Sequence, residues 1–508
     1  MLTTGRPKID LFGWVVVAAV TLGAAAMALL QPSATLLVLG GSALAALLLF
    51  AALRWEITVW AWLWVLAYGV LDSTFWRSEV PGFFNLTIPR LLFVAASLAF
   101  VLHFMFRRRP VFFDRKVLWA MLGMLVYCAI SASAHGWTAD AAVILQPPYF
   151  RYIGGLMFPA VMFFLMYNSA RSERQVSVGL VLIAAFGWYA LYIGYLQYFA
   201  NAGYWAGARD FIFPSYINNP EVEAGIHFAR SRGPFYSAIP QGTLMVLLFF
   251  IDLFLIRRAR GLTRGLAFLQ AVLTLPGVFF TGLRAAYLCF LVCGLIWLIW
   301  GGRRGGMLKL ASGLVALLLL TGLFWQNLQQ TDRLKGGVAE VSPIEDRIAL
   351  LKITWQIAQE HPFTGVGYGR FAEARQSLEQ DPTARTLPPE MMQHNVFLAI
   401  LAETGILGLA LLVAMLVLMF RESLQLYRKL PADAPGLLSR PLVVLFWVAL
   451  ANYVTISMFN DTTTDFFTTG LTWTLAGLIA GYNRLLEPHR IDLPVYGPEH
   501  PEMTVASS

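Results

Sequence analysis

The stretch that decides the fold is QGTLMVLLFFIDLFLI (241–256), RRARGLTR (257–264), GLAFLQAVLTLPGVFF (265–280), TGLR (281–284), AAYLCFLVCGLIWLIW (285–300) and GGRR (301–304). Three apolar runs, each long enough or nearly long enough to cross about 30 Å of hydrocarbon as a helix, are joined by a basic turn and by a short turn carrying one arginine. Lysine and arginine stay on the cytoplasmic side of a membrane. The basic turns at 257–264 and 301–304 therefore face inward, and the Thr281-Gly282-Leu283-Arg284 turn faces outward.

The same pattern repeats along almost the whole chain, giving fourteen expected spans. They run near Leu11–Leu30, Ser33–Leu53, Ile57–Leu71, Leu91–Phe106, Val117–Ala134, Leu156–Tyr167, Val176–Phe199, Gln241–Ile256, Gly265–Phe280, Ala285–Trp300, Leu310–Trp325, Ile406–Phe420, Pro441–Phe459 and Thr468–Tyr482. The first is followed almost at once by a second apolar run and by no obvious cleavage site, so it reads as a span rather than a signal peptide. With the N-terminus inside, 23 of the 37 lysines and arginines fall on the inner side, whereas the reverse orientation breaks the rule at nearly every short loop.

Composition agrees with this reading. Of 508 residues, 58% are hydrophobic and 13% charged, against about 45–50% and about 25% in soluble proteins. A cytosolic enzyme, a disordered chain and a disulfide scaffold are excluded. The three cysteines, Cys128, Cys289 and Cys293, lie in apolar runs as small hydrophobes. The net charge of +8 is accounted for by topology and requires no nucleic-acid partner.

Every inner connection is short, but two outer ones are long, Asn201–Ile239 and Gln326–Asn395. Long connections with structure of their own are usually functional. In the second, Ser342-Pro343-Ile344-Glu345 is a capping box with proline at the first helical position. Ile348, Leu351, Trp355 and Ala358 then recur at helical spacing until His361-Pro362 stops the run. This predicts an amphipathic helix of about 18 residues, lying on the outer membrane face or packed on the bundle. A glycine turn, Gly365-Val366-Gly367-Tyr368-Gly369, follows; it reads as a tight turn or as an anion-binding nest.

Five side chains stand out as candidates for chemistry. His394 sits where the outer loop meets an apolar helix, and a histidine there can take a proton from a hydroxyl. Glu403, nine residues on, is the second candidate catalytic acid or base, a carboxylate among apolar neighbours that is costly unless paired or used. Arg284, Arg347 and Arg232 fall at the outer edge, where a guanidinium fork matches phosphate oxygens; each also reads as a snorkelling anchor. Asp461 and Asp465, on the last outer turn, read as a divalent-cation pair or as a solvated loop. No DxD triplet, Walker A sequence or GxGxxG motif after a strand is present.

Taken in order, Arg347 to Trp355, His361-Pro362-Phe363-Thr364-Gly365-Val366-Gly367, His394-Asn395-Val396-Phe397-Leu398 and Glu403-Thr404-Gly405-Ile406-Leu407-Gly408 resemble the O-antigen ligase and polysaccharide polymerase superfamily. The Thr281–Arg284 turn fits the arginine turn preceding them, and the resemblance covers roughly Phe235 to Phe420. It implies an all-α polytopic membrane protein with a large helical periplasmic loop and a GT-C-like glycosyltransferase architecture. It also implies a metal-independent, inverting transfer without a cofactor. The glycan moves from an undecaprenyl diphosphate carrier to a sugar hydroxyl at the periplasmic face of the bacterial inner membrane. The acceptor is lipid A core in a ligase and a carrier-linked glycan in a polymerase; of these the ligase is preferred. Carried over by motif, Arg284 and Arg347 match the family's essential arginines and His394 its histidine, with Arg232 a weaker match.

The expected organisation is an N-terminal membrane region (1–240) with its first outer loop at 201–239, a ligase-like region (241–485) containing the loop 326–395, and a cytoplasmic tail (486–508). A lipid-linked oligosaccharide flippase is the rival from another class. Transporters place charges near the midplane and repeat their halves, whereas here the charges gather at the outer rim and no repeat is evident.

Overall fold

The computed structural model of the chain describes residues 56–70, 77–78, 86–107, 110–138, 147–201, 205–218, 230–301, 322, 342–378, 393–431 and 436–487. The expected spans near Leu11–Leu30, Ser33–Leu53 and Leu310–Trp325 lie outside the described residues, apart from Gly322 in the last. The remaining eleven each coincide with a helix. In chain order the helices are α1 (Ile57–Val70), α2 (Ile88–Arg107), α3 (Lys116–His135), α4 (Pro148–Ser169), α5 (Glu173–Asn201), α6 (Ala238–Arg258), α7 (Gly261–Phe280) and α8 (Arg284–Trp300). Then come α9 (Ser342–Glu360), α10 (Phe371–Leu378), α11 (Val396–Lys429), α12 (Arg440–Ser457) and α13 (Phe466–Leu485). The described strands are a two-residue antiparallel ladder, with Arg77 opposite Thr87.

Eight helices among the described residues are long and apolar enough to cross a membrane, and α1 and α8 are shorter apolar helices. The fourteen spans expected from the sequence are thus not reached on the described residues. The chain is a multi-pass, all-helical membrane protein.

Lipid-facing sides are visible as exposed apolar stripes. In α2, Val94, Leu98, Val101 and Met105 are exposed, and in α3 Trp119, Leu122, Val126 and Ile130, spaced as one helical face. α13 is different. It has 20 residues, but Thr468, Thr469, Thr472 and Thr474 make it less apolar, and all four are buried. Protein rather than lipid surrounds it, so Thr469 Oγ1 donates to the Thr462 carbonyl at 2.7 Å and Thr472 Oγ1 to that of Thr468 at 2.9 Å.

α4 and α13 pack backbone against backbone. A Cβ on Gly477 would stand 2.3 Å from the Phe163 carbonyl oxygen, and one on Gly481 2.6 Å from that of Tyr167. Membrane helices approach closely where small residues let backbone meet backbone. The same device works at the outer end: a Cβ on Gly155, inside the π-helical turn Tyr152–Met157, would stand 2.1 Å from the Thr463 carbonyl oxygen. The 461–465 loop is therefore pressed against the head of α4.

α11 begins ten residues before the span expected at Ile406 and breaks at Gly405 (φ 67°, ψ −168°). The chain after α9 enters the break. Ile406 N–H donates to the Pro362 carbonyl at 2.9 Å, Val366 N–H to that of Ala402 at 3.0 Å, and Gly367 N–H to that of Glu403 at 2.9 Å. Tyr127 of α3 donates its hydroxyl to the Thr404 carbonyl at 2.8 Å. Non-helical backbone near a membrane survives where protein groups satisfy it, and here four bonds do so.

Candidate functional site

Among the described residues, two charged clusters form at one end of the bundle, which the loop charges predict to be the outer one. The first centres on Arg151, which enters at the head of α4 behind Pro147-Pro148 and is 2% exposed. Its Nη1 donates to Glu403 Oε1 at 2.6 Å and its Nη2 to Asp461 Oδ2 at 3.2 Å. Nε and Nη2 also reach Thr463 Oγ1, at 3.4 and 3.2 Å, and the guanidinium carbon stands 5.5 Å from the Tyr368 ring centroid. Glu403 is 1% exposed. Asp461 is held in turn by the Thr463 backbone N–H at 3.0 Å and by the Thr463 hydroxyl at 2.5 Å. One cation is thus enclosed by two carboxylates from α11 and from the loop before α13.

The second cluster joins Arg284, Arg347 and His394. Arg284 opens α8 two residues after Gly282, which turns the chain at φ 57°. A cation at a helix N-terminus opposes the helix dipole, so its position there is not explained by helix stability. Arg347 lies in the first turns of α9. Burial and the facing charge of Arg284 both lower its pKa. His394 directly precedes Asn395, whose side chain caps α11 by accepting from Leu398 N–H at 3.0 Å and donates to the Met458 carbonyl at 3.1 Å. Burial and the positive charge of Arg347 lower the His394 pKa, against the opposing charges of Asp461 and Asp346. At neutral pH the imidazole is therefore held in its neutral, proton-accepting form.

Of the five candidates, the structure gathers Arg284, Arg347 and His394 and puts Glu403 in the neighbouring ion pair. Arg232 is 4% exposed and turned onto backbone: its guanidinium donates to the Phe235 carbonyl at 2.8 Å and to that of Ile217. It clamps the first outer loop. The residue beside the Arg284 turn is Arg230, whose side chain runs 3.6–3.8 Å from where a Gly282 Cβ would stand.

Both alternatives weighed for the aspartates give way. Asp461 pairs with Arg151, and Asp465 caps α13 by accepting from Thr468 N–H at 3.0 Å. No group of three or more His, Cys, Asp or Glu among the described residues is placed to hold a metal. Of the two readings of the glycine turn, the tight turn is the one seen, since the Val366 and Gly367 amides serve the α11 break.

The amphipathic helix is present almost as expected, with 19 residues, but the face it buries is another one. Leu350, Thr354 and Ile357 are buried, while Ile348, Leu351 and Trp355 are 48%, 47% and 59% exposed. The helix packs on α10 and α11 through the first set and carries Ile348, Leu351 and Trp355 of the expected stripe outward, whereas Ala358, its fourth member, is buried.

Arg151 was not foreseen. Its signal was the mirror of that for Glu403: a lone charge at the head of an apolar run needs a partner, and each supplies the other's.

No curated protein matches the chain. Residues 269–413 match the family described as O-antigen ligase. The matched stretch runs from α7 to the middle of α11, and so includes Arg284, Arg347, His394 and Glu403 but not Arg151, Arg232 or Asp461. The chain is similar to the O-antigen ligase family over the segment that holds Arg284, Arg347 and His394.

Proposed function

We propose that this chain transfers a glycan from an undecaprenyl diphosphate carrier to a sugar hydroxyl at the outer face of the bacterial inner membrane, within a GT-C-like arrangement of spans. The observation that carries the reading is the convergence of Arg284, Arg347 and His394 from three separate segments. Two guanidinium groups facing one another favour an anion between them, and a diphosphate at headgroup depth is such an anion.

In the reaction, His394 accepts the acceptor hydroxyl proton as that oxygen attacks the anomeric carbon. The bond from the anomeric carbon to the diphosphate oxygen breaks, its electron pair leaves with the diphosphate, and the anomeric centre inverts. Arg284 and Arg347 are pre-placed where the leaving charge develops, which lowers the barrier without reorganisation at the moment of reaction. General-base assistance of this kind contributes about 10² to 10⁴ in rate. Glu403 acts as a positioning residue: it touches Arg151, and Arg151 fixes the Asp461 loop whose charge faces His394.

The test uses the purified full chain with undecaprenyl diphosphate oligosaccharide, with and without lipid A core, and the His394→Ala variant as control. Glycan on the lipid A core, lost in the variant, is the expected result. A ladder of lengthened carrier-linked glycan without that acceptor assigns a polymerase instead. Wild-type turnover by His394→Ala removes the histidine from the mechanism.

A further inference from the structure

A cavity of about 540 Å³ opens at the outer end of the bundle, walled by residues of α1, α2, α4, α6 and α13. Small-molecule sites fall at about 300–1,000 Å³. Asp461 belongs to this wall and also to the Arg151 network, so the cavity adjoins the proposed reaction centre across one loop. The rest of its lining takes no part in the chemistry described above.

The lining sets flat aromatic faces, Phe150, Tyr236 and Phe466 among them, beside charged groups from Arg90, Asp461 and Asp465. Asp465 Oδ1 is used by the α13 cap, whereas its Oδ2 is buried with no hydrogen-bond partner among the described residues. A buried acceptor without a donor is costly. Arg90 stacks its guanidinium 5.5 Å from the Phe150 ring centroid, which holds one edge of the aromatic wall.

Three ligand chemistries can be compared with this lining. A hydrocarbon chain fits the rings but leaves Asp465 Oδ2 without a donor. A phosphate meets two carboxylates of its own sign. A sugar ring offers hydroxyl donors to carboxylates and C–H faces to aromatic rings at once.

We propose that this cavity binds a pyranose ring of one of the two glycan substrates, and that its aromatic and carboxylate lining selects which sugar is presented beside the Asp461 loop. The proposal rests on the glycosyl-transfer reading and names the recognition element that reading lacks. The ring belongs either to the glycan being moved or to the glycan that accepts it.

The experiment uses the full chain in detergent and two soluble probes: the oligosaccharide released from its carrier by mild acid, and the lipid A core oligosaccharide stripped of acyl chains. Saturation-transfer NMR reports binding of each without turnover. Tyr236→Ala removes an aromatic face from the rim, where Tyr236 is 65% exposed and its truncation leaves the core intact. Asp465→Asn keeps a capping oxygen and changes the unpartnered one. The expected result is that one probe binds at least about tenfold more weakly to both variants, a loss of about 1.4 kcal/mol. In the transfer assay, KM for the substrate carrying that sugar rises while kcat changes little. The probe that responds identifies the source of the ring. Unchanged affinity for both probes in both variants overturns the assignment. Absence of transfer by the wild type, with probe binding intact and sensitive to the variants, instead overturns the transferase reading and leaves the sugar site standing.

Discussion

The two charged clusters at the outer end of the bundle follow opposite rules. Around Arg151, unlike charges close on each other at hydrogen-bond distance, with both carboxylates nearly buried. Around Arg347, like charges face one another, and the histidine beside them is biased towards neutrality. A satisfied cluster is a joint between elements, here α4, α11 and the loop before α13. A cluster in which two guanidinium groups face one another is suited to an anionic ligand. Mutation separates the two, because the first should govern whether the protein is folded and the second whether it turns over.

The largest expected effect is on the joint. Arg151→Met strands two buried carboxylates, and breaking a buried pair from one side costs about 3–5 kcal/mol; thermal unfolding in detergent should show a marked fall in Tm. A Tm unchanged from wild type would dissolve the contrast between the clusters. Next, His394→Ala should lower turnover by about 10² to 10⁴ with Tm and donor affinity near wild type, as measured by single-turnover transfer and by binding of undecaprenyl diphosphate.

Arg284→Ala and Arg347→Ala should each weaken that binding by roughly 10- to 150-fold, from about 1.5–3 kcal/mol for hydrogen bonds to charged groups. Lysine at either position should restore little, since the fork geometry is lost. Tm should hold or rise slightly as like-charge repulsion is relieved, the opposite sign to Arg151→Met.

The smallest effect concerns pH. In the wild type, Arg347 disfavours protonated His394, so activity persists to lower pH than an ordinary histidine allows. In the residual activity of Arg347→Ala the acid limb of the pH–rate profile should move to higher pH. An acid limb that does not move would mean that Arg347 contributes little to the field at the imidazole.

Much of the fold could be read from the sequence because lipid exposure writes itself as hydropathy. Spans such as Gln241–Ile256 and Gly265–Phe280 lie inside α6 and α7, and the capping box placed the start of α9 at Ser342. Arg284, Arg347 and His394 are candidates by their place at span and loop ends, a one-dimensional property, and the electrostatic interactions among them are what the structure adds. What was missed depends on distance in three dimensions. Arg151 meets partners 252 and 310 positions away, and no local pattern announces such a pair. Arg232 looked like Arg284 in sequence, yet its neighbours Ile217 and Phe235 absorb its donors. The stripe on α9 has two expected seats, the membrane face or the bundle; Ile348, Leu351 and Trp355 are exposed and leave the bundle to Leu350 and Ile357, a competing stripe, because periodicity does not say which one meets protein.

The break at Gly405 has a consequence for hydrogen–deuterium exchange. A glycine-rich segment with irregular dihedrals is ordinarily among the first to exchange, but the amides of Val366, Gly367 and Ile406 are all engaged across the break. They should exchange slowly and together, as one cooperative unit with the outer half of α11. Gly405→Ala forces a Cβ to 2.2 Å from the Phe363 carbonyl oxygen in a left-handed conformation. That single change should therefore release protection on both sides of the break at once, in residues some forty positions apart in the chain.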